Sequence, residues 1–461
     1  MTRRAFTPRP YHGLAMDHLA GVPRSAIFAK PGMGKSVMAL TFLDYLHNIW
    51  GEDRPTLVLA PLRVARDTWA NEAGKWSHLS GIEVVPIVGD PAQRRAALRR
   101  QAPVYTTNYE NLVWLRDEFK GKAWPFATVV ADESTKLKSF RLRQGGVRAQ
   151  ALAQVAHKHV ERWINLTGTP ASNGLADLWG QTWFLDAGQR LGRTFSAFQD
   201  RWFRPSKAGQ FTKWSQAEHA QEDIQGRLSD ICLTLDPKDW FDLADPIVNV
   251  IEVELPANAR AQYREMEREL FTMIAGNEVE AMNAAAKSQK CLQMANGSVY
   301  LEDGKTWVEC HSEKLDALEE LAEETGDDPI LVAYQFKSDL ARLLKRFPDG
   351  INLSEADGMA RAMASKGKLW FGHPASMGHG VDGLQYHCNT LAFFAQDWNL
   401  EYHDQVLERV GPMRQMQAGK DRPVFVHYLV ARGTIDELVM ARRASKRNVQ
   451  DLLLDYLKGK R

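Results

Sequence analysis

The stretch AKPGMGKS, Ala29 to Ser36, constrains this chain more than any other. Before it stands SAIF, a short β-rich run, and after it SVMALTFLDYL, which has helical periodicity with Val37, Leu40, Thr41 and Leu43 near one face. A glycine-rich turn between a strand and a helix lets backbone N–H groups converge on an anion, because Gly32 and Gly34 carry no Cβ. The helix N-terminus adds partial positive charge. The spacing therefore makes Lys30, Pro31, Gly32, Met33, Gly34, Lys35 and Ser36 a phosphate cradle. Lys35 reaches the β/γ-phosphates and the Ser36 hydroxyl holds Mg²⁺. Ala29 replaces the first glycine of the strict pattern, so an ordinary glycine-rich turn is the competing reading.

A second half-site settles that choice. FATVVADE (Phe126 to Glu133) is an apolar strand ending in two carboxylates. Asp132 at the strand tip is placed to hold Mg²⁺ opposite Ser36, and Glu133 to orient or deprotonate an attacking water. Strands TLVLAP and PVYTTN alternate with helical stretches between the two half-sites, Asn108 standing as a helix cap. This alternation predicts an α/β fold with a mainly parallel sheet and ligands at the strand C-termini. WINLTGTP adds a strand ending in Thr167 and Thr169, placed to hydrogen-bond the carboxylates; a plain Thr-rich turn is the alternative. Between Ser134 and Arg148 lie Lys136, Lys138, Arg141, Arg143 and Arg148 with no acid, a candidate phosphate-backbone contact against the reading of a simple basic loop. Arg94, Arg95, Arg99 and Arg100 read equally well as a solvated helical face.

DPKDWFDLADP, Asp236 to Pro246, is rich in turn residues and marks a boundary, giving domains 1–240 and 247–461. The second half again alternates strands (VNVIEVEL, PILVAYQF, KLWFG, TLAFFAQDW, RPVFVHYLV) with helices, but has no phosphate loop with a lysine. Two such halves with one complete loop suggest a composite site in the cleft between them, arginines of the second half neutralising the transferring phosphate. With a net charge of +1, any nucleic-acid surface must be a local patch. The 4 cysteines are scattered, which argues against zinc or a disulfide framework and suits a reducing cytoplasm. No apolar run approaches the roughly 18 residues of a membrane span, and the N-terminus lacks a secretory h-region.

These motifs, in this order, resemble the Swi/Snf-type ATPases of helicase superfamily two, in particular compact forms from bacteriophages and prophages. The resemblance covers AKPGMGKS, LVLAPLRVARDTWANEAGKW, TTNYENL, VVADESTKLKS and LTGTPASNGLADLW. In the second half it covers SEKLDALEEL, ILVAYQF, HPASMGHGV and DWNLEYHDQVLERV. It implies two RecA-like domains, ATP and Mg²⁺ as ligands, and DNA-stimulated hydrolysis driving movement on duplex or branched DNA. RNA stays open as a track, and phage or host replication and recombination proteins are implied partners in the host cytoplasm. Carried over by position, Lys35 and Glu133 are catalytic and Ser36 and Asp132 hold the metal. Thr167, Thr169 and Gln405 couple hydrolysis to DNA. Gly378, Gly380 and Asp382 form a second-domain loop facing nucleotide and DNA, and Arg409 opens the last motif. Four positions depart from the family. Ser134 and Thr135 replace the usual Ala and His, His12 stands for a Gln, and Pro412 falls where a second arginine is expected. Arg414 is the nearest substitute for that arginine. A strand-separating helicase on forks and a non-hydrolysing nucleotide-gated DNA clamp are the alternative functions; a small-molecule kinase fits the loop alone.

Overall fold

The computed structural model describes residues 3–143, 146–208, 211–273, 288–364, 367–377, 381–420 and 422–445. The body of the chain divides between Phe241 and Asp242 into two compact units.

The first unit is built on one sheet. Its strands are β1 (Arg24–Ala29), β2 (Thr56–Ala60), β3 (Val84–Pro86), β4 (Val104–Asn108), β5 (Thr128–Asp132), β6 (Arg162–Thr167) and β9 (Cys232–Leu235). They lie in the order β3-β4-β2-β5-β6-β1-β9, and every pairing is parallel. Parallel strands are covered by helices on both faces, so they read as unbroken apolar runs rather than alternating ones. In β2 and β5 every residue is buried. Two further strands, β7 (Phe203–Ala208) and β8 (Phe211–Gln216), form a two-stranded sheet of their own.

The second unit carries β10 (Ile247–Val253), β13 (Ile330–Ala333), β14 (Ile351–Asn352), β15 (Leu369–Gly372), β16 (Thr390–Phe393) and β17 (Phe425–Ala431). Their order is β10-β17-β16-β13-β15-β14, again all parallel. Alternate residues of β13 feed separate cores on the two faces: Ile330 and Val332 on one, Leu331 and Ala333 on the other. A short antiparallel pair, β11 (Ser298–Tyr300) and β12 (Trp307–Glu309), stands apart. The two units are thus RecA-like α/β lobes, as expected. No described helix is long and apolar enough to cross a membrane.

Several local expectations need correction. The helix Lys35–Asp44 buries Val37, Met38, Ala39, Leu40, Phe42 and Leu43, so it is enclosed nearly all round rather than along one stripe. Thr41 does not join that core; its hydroxyl donates back to the Val37 carbonyl at 2.8 Å. Asn108 makes no side-chain cap, because its amide donates to Glu110 instead. GIEVVPIVG shrinks to the three residues of the edge strand β3.

In the second unit a buried polar cluster joins elements far apart in sequence. Lys314 and Asp436 form an ion pair at 2.7 Å with both side chains 0% exposed. Lys314 also donates to Asn296, whose amide donates to Asp339. Arg342 donates to the carbonyls of Asn296 and His311.

Candidate active site

The site grows from the C-terminal edge of the first sheet, where β1, β5 and β6 end side by side. Beyond β1 the chain turns through Gly32 (φ 86°) and Gly34 (φ 78°), left-handed conformations that cost a Cβ-free residue little. The helix then begins at Lys35. With the loop in this shape Lys35 Nζ donates to the Ala29 carbonyl at 2.6 Å, which holds the ammonium over the loop's own mouth. Lys30 pairs with Asp236, just past β9, at 3.2 Å.

Next to β6, β5 delivers Asp132. The carboxylate is buried, and its Oδ2 accepts from the indole N–H of Trp69 at 2.9 Å. Burial, and then the neighbouring Glu133 carboxylate, push the Asp132 pKa up to about 6, while the Trp69 bond and the Lys35 charge act in the opposite direction. Glu133 adopts φ 61° and ψ 57°, a left-handed conformation uncommon for a residue with a Cβ. The Tyr109 hydroxyl donates to the Asp132 carbonyl at 2.9 Å on the same turn. Glu133 Oε1 accepts from Thr167 at 3.1 Å and from Thr135 at 3.4 Å. Thr167 Oγ1 in turn accepts from the Thr169 N–H at 3.1 Å.

The Thr-Gly-Thr turn also touches the phosphate loop. A Cβ on Gly168 would stand 3.1 Å from Pro31 Cδ and 3.3 Å from the Ala29 carbonyl, so a larger residue there would have to push the loop back by a few tenths of an ångström. Ser134 is tied to the same region: its hydroxyl donates to Gln181 Oε1 at 2.8 Å, and the Gln181 amide donates to the Pro170 carbonyl at 2.8 Å. Of the two departures, Thr135 bonds the Glu133 carboxylate directly, while Ser134 is linked through Gln181 to the Pro170 carbonyl that follows the Thr-Gly-Thr turn.

His12 lies beside the loop, its Nε2 3.5 Å from the position a Gly34 Cβ would take. Nδ1 accepts from the Arg9 N–H at 2.7 Å, so in the neutral ring the proton sits on Nε2. Burial, then the Arg9 charge, lower its pKa to about 4.

The basic residues after Glu133 divide. Lys136 and Arg143 are exposed. Lys138 is half-buried, 3.5 Å from Ser172 Oγ and 3.8 Å from Asp177. Arg141 lies over the Phe195 ring at 3.3 Å and donates to the Lys138 and Phe140 carbonyls. Arg94 stacks on Trp114, while Arg95 and Arg100 pair with Glu118 and Glu83.

In the second unit Arg409 donates to the carbonyls of Gln405, at 3.2 Å, and Val381, at 2.8 Å. Arg414 pairs with Asp382 at 3.3 Å. The structure thus brings Asp382, Gln405, Arg409 and Arg414 into one neighbourhood, with Pro412 opening the short helix that carries Arg414. Gly378 and Gly380 lie outside the described residues.

Sequence reasoning missed the direct bonds of Trp69 and Tyr109 to the carboxylate turn, the Gln181 bridge and the Lys30–Asp236 pair. Each partner lies far along the chain, and no local pattern signals such a contact.

A parallel strand running into a lysine-bearing glycine loop, one strand away from another that ends in Asp-Glu, defines a P-loop nucleoside triphosphatase. The family model of the SNF2-related domain matches residues 17–302. Protein p41 of Acyrthosiphon pisum secondary endosymbiont phage 1 is 54% identical over 464 residues, covering 99% of this chain and 100% of that protein. The chain is also 23% identical to mouse SWI/SNF-related matrix-associated actin-dependent regulator of chromatin subfamily A member 1, over 92% of its own length but 41% of that protein. It is 30% identical to helicase SWR1 of Yarrowia lipolytica over 39% of its length and 10% of that protein. The SWI2/SNF2 ATPase core of Sulfolobus solfataricus in complex with dsDNA aligns with a TM-score of 0.45 and 21% identity, over 98% of this chain and 93% of that one. The chain belongs to the SNF2-related family, whose domain is an ATP-hydrolysing, helicase-type motor.

Proposed function

We propose that the protein hydrolyses Mg²⁺-ATP to drive movement along duplex or branched DNA, gripping the phosphate backbone. The observation that carries this reading is the junction of Lys35, Asp132, Glu133 and Thr167 on one sheet edge, with the Thr-Gly-Thr turn packed on the phosphate loop. In this reading Lys35 leaves the Ala29 carbonyl for the β/γ-phosphates, and the backbone N–H groups of Gly32 to Ser36 bind the phosphate oxygens. Ser36 and the Asp132 oxygen not held by Trp69 are hard oxygen donors, a set that suits Mg²⁺ bound together with substrate phosphates. The metal would supply charge neutralisation on the β- and γ-oxygens. Glu133 orients and deprotonates the attacking water, and Thr167 and Thr135 fix its carboxylate. Arg409 and Arg414 stabilise the charge of the transferring phosphate, Arg414 replacing the arginine missing at Pro412.

Thr169 and Gln405 transmit the nucleotide state to the track, and Asp382, Gly378 and Gly380 belong to the loop that senses both ligands. Lys136, Lys138, Arg141 and Arg143 face the DNA backbone, so sequence preference is slight and salt dependence strong. The domains are 1–240 and 247–461, and the partners are duplex or branched DNA.

The test is the ATPase rate with no nucleic acid, single-stranded DNA, duplex, fork and RNA, with Lys35→Ala as blank. Duplex stimulation abolished by Lys35→Ala supports the motor. Stimulation by a fork with strand release in an unwinding assay makes it a strand-separating helicase. Duplex binding without phosphate release makes it a nucleotide-gated clamp.

A further inference from the structure

Two aromatic side chains hold the carboxylate turn from behind. Trp69 is 0% exposed and spends its single N–H donor on Asp132 Oδ2 at 2.9 Å. Tyr109 is buried, and its hydroxyl donates to the Asp132 carbonyl at 2.9 Å and lies 3.4 Å from that of Glu133. Between these anchors the backbone makes the left-handed turn at Glu133. A left-handed residue with a Cβ persists only where its surroundings over-determine it. Here the determinants are one bond to the side chain before the turn and bonds to the peptide groups on either side of it.

We propose that Trp69 and Tyr109 act as paired positioning residues of the hydrolytic reaction, with separable tasks. Trp69 fixes the Asp132 carboxylate so that Oδ1 stays available to a divalent cation. An indole N–H has one direction, so it selects one rotamer of the carboxylate and occupies one of its oxygens. Tyr109 fixes the peptide that aims Glu133, and so acts on the chemical step rather than on the metal. Neither residue touches substrate. The inference rests on the Mg²⁺-ATP hydrolysis proposed above.

The test uses the full chain and two substitutions that each remove one donor, Trp69→Phe and Tyr109→Phe. Four quantities are read: kcat, KM for ATP, the Mg²⁺ concentration at half-maximal rate, and the equilibrium affinity for a fluorescent ADP analogue with Mg²⁺ or with EDTA. Trp69→Phe is expected to raise the Mg²⁺ requirement roughly tenfold, the size typical of losing a bond to a metal-holding group, and to weaken ADP binding with Mg²⁺ but not with EDTA. Tyr109→Phe is expected to lower kcat roughly tenfold with KM, Mg²⁺ requirement and ADP affinity unchanged. Equal losses in all four quantities for both variants, or no change in either, would overturn the proposal. Tyr109→Phe removes only a hydroxyl, so it decides alone if Trp69→Phe melts below the assay temperature. A wild-type chain that releases no phosphate from ATP sinks the hydrolysis reading instead, a result distinct from wild-type turnover with indifferent variants.

Discussion

Glu133 allows catalysis and stability to be set against each other at one position. Its left-handed conformation costs a residue with a Cβ about 1–2 kcal/mol, and glycine escapes that cost. Glycine loses about 0.5–1 kcal/mol more backbone entropy than alanine on folding. Glu133→Gly and Glu133→Ala both delete the carboxylate and its bonds from Thr167 and Thr135. Those losses cancel in the comparison. The glycine variant should therefore be the more stable of the two by about 0.75 kcal/mol, the midpoint of a range of about 0–1.5 kcal/mol. For a unit of this size that midpoint is about 1.5–3 °C in Tm. Both variants should lose about 10²- to 10⁴-fold in kcat, the range for removing a general base. Thermal unfolding followed by circular dichroism, beside phosphate release on duplex DNA, reads both quantities. An alanine variant at least as stable as the glycine variant would refute the conformational argument. Near-normal turnover in either would remove Glu133 from the chemical step.

The remaining predictions concern the second unit. Lys314→Met strands Asp436 in a dry interior and should cost about 3–5 kcal/mol in denaturant unfolding; Lys314→Met with Asp436→Asn should recover most of that loss, and simple additivity would contradict the coupling. Burial, with the Arg342 and Lys314 charges, lowers the His311 pKa to about 4, against about 6.5 in an unfolded chain. Because the folded value is the lower one, this stabilisation is complete above pH 6.5 and is lost as pH falls toward 4, on the order of 3 kcal/mol in all. His311→Gln should flatten the fall of Tm over that interval, and an unchanged slope would exclude His311 as its source.

Much of the fold was legible because parallel strands buried on both faces must be apolar throughout. TLVLAP, FATVVADE and PILVAYQF announce themselves in that way. The short elements did not. β9 is only four residues, just before the stretch that reads as a boundary, and the pairs β7–β8 and β11–β12 carry polar and charged residues without strong alternation. The turns at Gly32 and Gly34 were legible because only glycine enters that region freely; the one at Glu133 was not, since it is held by the Trp69 bond to the preceding Asp132 carboxylate and the Tyr109 bond to the Asp132 carbonyl, both from elsewhere in the chain. Asn108 misled because a capping residue and one that bonds Glu110 look alike in sequence. The candidate site's residue types can be picked out one by one in the sequence, whereas the bonds between them arise only when the strands assemble.

The order of strands also bears on synthesis. β1, which ends at the phosphate loop, lies between β6 and β9, so its neighbours leave the ribosome much later, at residues 162–167 and 232–235. A nascent chain halted before Cys232 already contains AKPGMGKS but has one side of its supporting strand bare, a template for pairing with other chains. Fragments ending short of Leu235 are therefore expected to aggregate rather than bind nucleotide.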